Sequence, residues 1–305
     1  MTPECVSRSS RFKDFPWPAI GECKQLPVWT GSHFEVASKR TKILAFSQSE
    51  SAWSPELTEM HEREASSSHP IDLASRALAV DSMKLLRLRG RPIILDVGCS
   101  SGFLIEDLMR DIPESELIGA DYIQEIVLKT AERLPNNPFL QFDLRQCPLP
   151  DACVDGVTAL NVLEHINDDS RAFVEVHRIL KRGGLAHIEV PADPGSFDLY
   201  DEVLLHFRRY RLSELIEKAH QAGFVVRKAT HLGFFPYPFF KYAKIRNQHI
   251  GKRLTLQEKT KLVAEQIRNT KSSRILSKIF DFERWLGSVA SYPIGIRAVA
   301  RLEKP

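Results

Sequence analysis

IILDVGCSSG, residues 93 to 102, is the stretch on which the reading of this chain turns. Ile93 to Val97 form an apolar run broken only by Asp96. The chain then enters a turn of small residues between Gly98 and Gly102. A short apolar run bounded by glycine reads as a buried strand. Residues 102–110 after it read as a helix. A strand that passes into a helix through a glycine turn is the first unit of an alternating α/β fold.

The same rhythm continues downstream. Residues 117–120 read as a strand ending at Asp121, 124–133 as a helix, and 139–142 as a strand ending at Asp143. Residues 154–160 are a further strand. A helix over 168–180 is expected to stop at Gly183-Gly184, and 185–190 form a strand closed by Pro191. Residues 212–222 form a helix stopped by Gly223, and 224–230 a strand. A mostly helical stretch follows, in which Thr255 and Glu258 make a capping box. The last strand-like run is 295–302. Strands and helices alternating at this spacing predict an α/β, Rossmann-like, doubly wound parallel sheet.

Upstream, Ser54-Pro55 and His69-Pro70 each place Pro at a helix start, predicting helices over 55–65 and 70–88. Residues 1–50 read as an irregular arm that packs by Phe15, Trp17, Trp29 and Phe34. The expected division is an arm and cap helix at 1–68 and one domain at 69–305. That domain carries an aromatic and basic helical insertion at about 233–292.

Composition narrows the class. Of 305 residues, 43% are hydrophobic and 27% charged, which suits a globular protein with a sizeable core. No apolar stretch approaches the roughly 20 residues that a spanning helix needs. The first residues lack the apolar middle of a secretory signal. Five cysteines without a CxxC pair or Cys/His zinc spacing fit a reducing cytoplasm. The formal net charge is +3, yet residues 241–278 hold 11 Lys and Arg against 2 Asp and Glu. An acidic body therefore carries one basic segment.

In a doubly wound sheet, ligands sit outside the carboxyl ends of the strands, where strand order reverses. Three consecutive strands here end in Asp96, Asp121 and Asp143. Each acid alone could be a cap or turn residue. Three in register at strand ends suit a nucleoside: an amino group for Asp96, ribose hydroxyls for Asp121, an adenine amino group for Asp143. The turn Gly98-Cys99-Ser100-Ser101-Gly102 lacks the middle glycine of a dinucleotide fingerprint, and no Walker sequence occurs.

With these residues in view, the chain resembles the class I S-adenosylmethionine-dependent methyltransferases, of the small-molecule type called type 11. The matching segments are LDVGCSSG (95–102), LIGADY (117–122), FDL (142–144), DACVDGVTALNVLEHI (151–166) and RILKRGGLAHIEVP (178–191). HFRRYRLSELIEKAHQAGF (206–224) is similar to the downstream part of many members. Ser100 departs from the usual glycine. The resemblance implies a seven-stranded sheet of order 3-2-1-4-5-7-6 with the last strand antiparallel, and S-adenosylmethionine as cofactor. It implies that Asp96, Gly98, Cys99 and Gly102 cradle the methionine part. Asp121 would hold the ribose, with Tyr122 beside the adenine. Asp143 and Leu144 would contact the adenine, and Asn161 would face the sulfonium.

Methyl transfer from a sulfonium is an in-line displacement, so positioning carries most of the catalysis and no metal is required. His165, after the fourth strand, is a candidate base. His206 and Tyr210 follow the fifth strand and join it as catalytic candidates. Arg208 and Arg209 could grip an acidic group on the acceptor. His187, inside a strand, reads as a core residue. Trp53, His61 and His69, on or beside the upstream helices, could reach the site, although a structural role is the simpler reading of each.

The run GFFPYPFF (233–240) precedes the basic segment. Aromatics beside lysines suit peripheral membrane contact, with a lid over the site as the alternative. Nucleic acid ranks lower, because the net charge is modest and Asn161-Val162-Leu163-Glu164 is not an NPPY-like tetrapeptide. The sequence thus predicts a cytoplasmic enzyme, with peripheral contact at the membrane surface open to it, that methylates a small or lipid-linked acceptor. Two rivals remain: a catalytically silent module that docks through its basic insertion, and a nicotinamide-dependent oxidoreductase.

Overall fold

The structure, a computed structural model, describes residues 11–21, 26–46, 68–270 and 273–305. An eight-stranded sheet forms its centre. In chain order its strands are β4 (Ile43–Ala45), β5 (Ile93–Val97), β6 (Glu116–Asp121), β7 (Phe139–Gln141), β8 (Val154–Leu160), β9 (Leu180–Pro191), β10 (Val225–Leu232) and β11 (Arg297–Glu303). They lie in the order β10-β11-β9-β8-β5-β6-β7-β4. β11 is antiparallel to both of its neighbours, and the remaining pairs are parallel. Seven strands therefore fall in the expected order, and β4 adds an eighth at the edge.

All five residues of β5 are buried, as expected of a strand covered on both faces. Its side chains alternate between two cores. Ile93, Leu95 and Val97 join one, with α4 (Asp169–Ile179) and α6 (Leu212–Gln221). Ile94 joins the other, with α1 (Pro70–Met83), α2 (Phe103–Asp111) and α3 (Gln124–Arg133).

Two expectations are corrected here. The arm is not wholly irregular. A small antiparallel sheet, β1 (Val28–Trp29), β2 (Phe34–Val36) and β3 (Lys39–Thr41), leads into β4. Phe12, Phe15, Trp17, Trp29 and Phe34 are buried in the same core as β5. Trp17 and Phe34 meet edge-on at 4.9 Å. The second correction concerns Gly183-Gly184, which do not stop a helix. α4 ends at Ile179, and β9 runs from Leu180 through both glycines to Pro191. The β8–β9 register shifts between Val154↔Leu180 and Gly156↔Leu185, and Gly183 takes φ +69° within the bulge.

Pro70 opens α1, which ends at Met83 and continues as a 3₁₀ turn over Lys84–Arg89. The helix expected over 55–65, with Trp53 and His61, lies outside the described residues. The insertion forms α7 (Tyr237–Gly251), α8 (Leu256–Thr270) and α9 (Arg274–Gly287). Glu283 on α9 accepts from the backbone N–H groups of Gly233, Phe234 and Phe235, which holds the entry loop. α8 packs Val263 and Ile267 against Leu199 and Val203 of α5 (Leu199–Val203). Among the described residues no helix is long and apolar enough to cross a membrane.

Candidate active site

The carboxyl ends of β5, β6, β7 and β8 open into one cavity of about 1340 Å³. Gly98, Asp121, Tyr122, Asp143, Leu144 and Asn161 line one part of it, and Glu164, His165 and His206 line another. The insertion closes the far side with Phe239, Phe240 and Lys244, among others. A second recess of about 130 Å³, reached from the same glycine turn, is bordered by Asp96, Cys99, Arg76 and Arg297.

The turn after β5 is fixed by its surroundings. Gly98 sits at φ +71°, and a Cβ there would lie 2.5 Å from Val162 Cγ2. Ser100, where a glycine is usual, adopts φ +47° and so bears left-handed strain of roughly 1–2 kcal/mol. Its N–H donates to Asp121 Oδ2 at 3.1 Å, and its carbonyl accepts from Thr130 Oγ1 at 2.6 Å. Asp121 Oδ1 accepts from the Ile123 N–H at 3.1 Å. The carboxylate is thereby held at the cavity wall. Gly102 lines neither space. It forms the left-handed start of α2, where a Cβ would meet Leu134 and Thr130 at 2.9 Å.

Asp96 is buried and accepts from Thr158 Oγ1 at 2.7 Å. Burial pushes its carboxyl up to about 7, against the Thr158 hydrogen bond and with help from the Asp121 charge. Asp143 is clasped by its neighbour Arg145, whose Nη2 donates to Oδ2 at 2.6 Å. Burial alone would raise this group, but Arg145 outweighs it and holds the carboxyl below its ordinary value. Asn161 stands at φ +53° with its N–H on the Glu189 carbonyl, and it borders both spaces.

His165 and His206 meet edge-on at 4.7 Å. His206 Nδ1 lies 2.8 Å from Asp201 Oδ1. Asp201 also accepts from Arg209 Nε at 2.9 Å. Burial acts to raise Asp201, but His206, Arg209 and Lys244 hold it well below the usual carboxylate range. Burial pushes His206 down despite its bond to Asp201. Glu164 is 0% exposed, and neither carboxylate oxygen has a hydrogen-bond partner. Burial lifts it to about 8, although the Glu164 backbone bond and Arg297 oppose the rise.

Two expected site residues have other places, and a third, Arg209, borders the main cavity but is already paired. Tyr210 is buried in the core and donates to the Leu163 carbonyl and to Asp169 Oδ2. Arg208 donates to the Asn167 carbonyl and pairs with Asp169. Arg209 is committed to Asp201 and the Ala192 carbonyl. Neither arginine is placed as an open grip, because each neutralises a nearby acid. His187 is in the core, as expected, beside Ser82 Oγ at 2.9 Å. His69 borders the main cavity.

Sequence reasoning passed over Glu164, although it sits in the LEH segment beside His165, and it passed over Asp201 and Arg297. Arg297 on β11 pairs with Glu189 at 2.8 Å and with Asp72 at 2.6 Å, and it borders both spaces. The signal was weak, because the strand RAVARLE (297–303) also carries Arg301 and Glu303.

A doubly wound α/β sheet of this order is one in which ligands sit outside the carboxyl ends of the strands, where these acids lie. The comparisons are more specific. The family described as methyltransferase domain matches residues 95–188. A protein of Mycolicibacterium smegmatis, described as a probable S-adenosylmethionine-dependent methyltransferase, is 33% identical over 153 residues, 49% of this chain and 57% of the relative. The chain spans about half the length of the curated relatives it matches. In structure it is similar to phosphoethanolamine N-methyltransferase 2 of Haemonchus contortus in complex with S-adenosyl-L-methionine, at TM-score 0.52, 15% identity and coverage of 81% and 56%. It is also similar to the [4+2]-cyclase SpnF, at TM-score 0.51, 19% identity and coverage of 75% and 81%. These two show the fold alone.

Residues 95–188 thus match a methyltransferase domain, and the relatives are described as probable methyltransferases that depend on S-adenosylmethionine. The residues present fit that group. Asp121 is fixed at the cavity wall by two backbone N–H groups, Gly98 brings bare backbone to the same space, and Asp96 borders the small recess together with Arg76 and Arg297.

Proposed function

We propose that this protein transfers a methyl group from S-adenosylmethionine to an acceptor with an apolar, lipid-like part, at a membrane surface. The observation that carries this reading is the continuity of the cavity. One space joins the strand tips to the Glu164, His165 and His206 cluster and to the aromatic insertion. Its volume of about 1340 Å³ exceeds the roughly 300–1,000 Å³ that holds one drug-sized ligand. Two molecules can therefore share it.

The cofactor supplies a methyl group activated by the sulfonium. Asp121 would orient the ribose, Tyr122, Asp143 and Leu144 would border the adenine, and Gly98 and Cys99 would face the methionine part. Asn161 stands between the two spaces, where the sulfonium would sit. Asp96, Arg76 and Arg297 border the small recess, where the amino acid end would sit, although Arg76 is paired with Asp107 and Arg297 with Asp72 and Glu189. Glu164, His165 and His206 border the acceptor side and are the groups placed to steer an acceptor proton.

The lipid-like part is argued from the insertion. Phe239 lines the cavity and is 81% exposed. Tyr242, Ile275, Phe282 and Trp285 are exposed on α7 and α9. Single exposed apolar residues are ordinary, but several large ones on two helices of one insertion mark a contact surface. Lys241, Lys244 and Lys259 are spent on Asp193, Asp198 and Glu202. Arg246, Lys252, Arg253, Lys261 and Lys278 remain exposed and would meet anionic headgroups.

The fold does not decide the reaction, as the cyclase likeness shows. The test is transfer of labelled methyl from the cofactor into a cell extract split into lipid, small-molecule and macromolecular fractions. Label in the lipid fraction supports the reading. Label confined to protein or nucleic acid contradicts it.

A further inference from the structure

The cluster at the acceptor end has a donor set that the sequence reading did not use. One ligand atom each from Glu164, His165 and His206 lies within 4.8 Å of the other two. Two neighbours in one 3₁₀ turn after β8 and one loop residue after α5 converge on this point. Two imidazoles and a carboxylate beside an accessible cavity are the ligands of a divalent transition ion.

Two further observations point to a bound cation. Glu164 is 0% exposed and neither of its oxygens has a hydrogen-bond partner, although buried polar groups are ordinarily satisfied. His206 is set up as a ligand. With the proton on Nδ1, His206 donates to Asp201 Oδ1 at 2.8 Å, a tautomer that leaves the lone pair on Nε2. Asp201 is itself anchored by Arg209 at 2.9 Å. A carboxylate behind an imidazole is how proteins orient histidine ligands.

We propose that Glu164, His165 and His206 bind one divalent transition-metal cation, with its open positions facing the cavity. The inference rests on the reading of that space as the acceptor site, and it narrows the acceptor to a molecule that presents oxygen. A hydroxyl bound to such an ion loses its proton more readily.

The test uses the untagged full chain, stripped with EDTA and titrated with Co²⁺, whose visible absorption reports imidazole ligation. The expected result is one saturable Co²⁺ per chain, displaced by Zn²⁺. Glu164→Gln keeps the shape of the side chain and is expected to weaken Co²⁺ roughly 100-fold without lowering the metal-free Tm. Asp201→Asn, acting through His206, is expected to weaken it roughly 10–100-fold. Absence of the absorption in the parent chain, or an affinity unmoved by both Glu164→Gln and His165→Gln, overturns the proposal. S-adenosylhomocysteine binding, measured on the same samples, separates the two readings. Its persistence without a Co²⁺ site removes the metal alone. Its loss beside an intact Co²⁺ site removes the methyltransferase reading and leaves the metal standing.

Discussion

Lys244, on the insertion helix α7, reaches Asp198 at 2.7 Å while 5% exposed, and its ammonium lies 4.7 Å from the centre of the Tyr200 ring. One buried ion pair thus fastens the insertion to the loop after β9, beside the cavity. Asn247 adds a bond to the same carboxylate at 2.9 Å. Burial pushes the Lys244 ammonium below its ordinary value, while Asp201 and Asp198 oppose that shift. Removing one partner of such a pair leaves the other charge buried and alone. Lys244→Met is therefore expected to destabilise the fold by about 3–5 kcal/mol in denaturant unfolding. The double variant Lys244→Met, Asp198→Asn should recover much of that loss. Equal stability of parent and single variant would show that the insertion is held by other contacts.

The bare turn after β5 makes a steric prediction. Gly98→Ala puts a methyl group 2.5 Å from Val162 Cγ2 at a φ of +71°. The expected loss is about 1–3 kcal/mol from overpacking, plus left-handed strain. Val162→Ala in the same chain should relieve the steric part and leave the strain. The check is unfolding of all three variants by urea, and a double variant no better than Gly98→Ala would refute the contact.

Asp96 sets a pH dependence. Its carboxyl is raised from 3.8 to about 7 in the folded chain. Between those values the folded state keeps a proton that the unfolded state has released. Stability from this group is therefore full below about pH 4 and lost as pH rises through about 7. A rise of that size corresponds to roughly 4 kcal/mol as an order of magnitude. Glu164 is raised by burial too, so the parent slope is shared. Asp96→Asn isolates the Asp96 part: the stability difference between parent and variant should change across pH 4–7. A difference independent of pH would contradict the burial argument.

Exposed aromatics on the insertion should drive membrane contact. Phe239→Ser with Trp285→Ser is expected to reduce flotation with anionic liposomes, since these side chains are 81% and 69% exposed. Changing Arg246, Lys252 and Arg253 to Gln should weaken flotation on anionic vesicles and leave neutral ones unaffected. Flotation that is unchanged in both variants would remove the peripheral membrane reading.

The sheet was legible because β5, β8 and β9 carry compact apolar runs with acids, Pro or glycine at their ends. The acids at 96, 121 and 143 were legible for the same reason, since strand ends fix where they point. β4 was not legible: Ile43–Ala45 is three residues long, and only pairing with β7 makes it a strand. Gly183-Gly184 misled because a bulge and a helix stop call for the same residue. The ionic sites were hidden by sequence distance. Arg297 meets Asp72 across 225 positions, a pairing that no local pattern announces. Arg208 and Arg209 looked like a grip because a local charge run does not reveal which acids will lie beside it.

The central claim is that Asp121 holds the ribose of S-adenosylmethionine at the tip of β6. Calorimetric titration of the parent chain and of Asp121→Ala with S-adenosylhomocysteine tests it most directly, with folding checked by circular dichroism. The account predicts one micromolar site in the parent and an affinity at least about tenfold weaker in the folded variant, as expected when a charged group loses its hydrogen bonds. Unchanged affinity in Asp121→Ala, or heat from a nicotinamide dinucleotide alone, would contradict it.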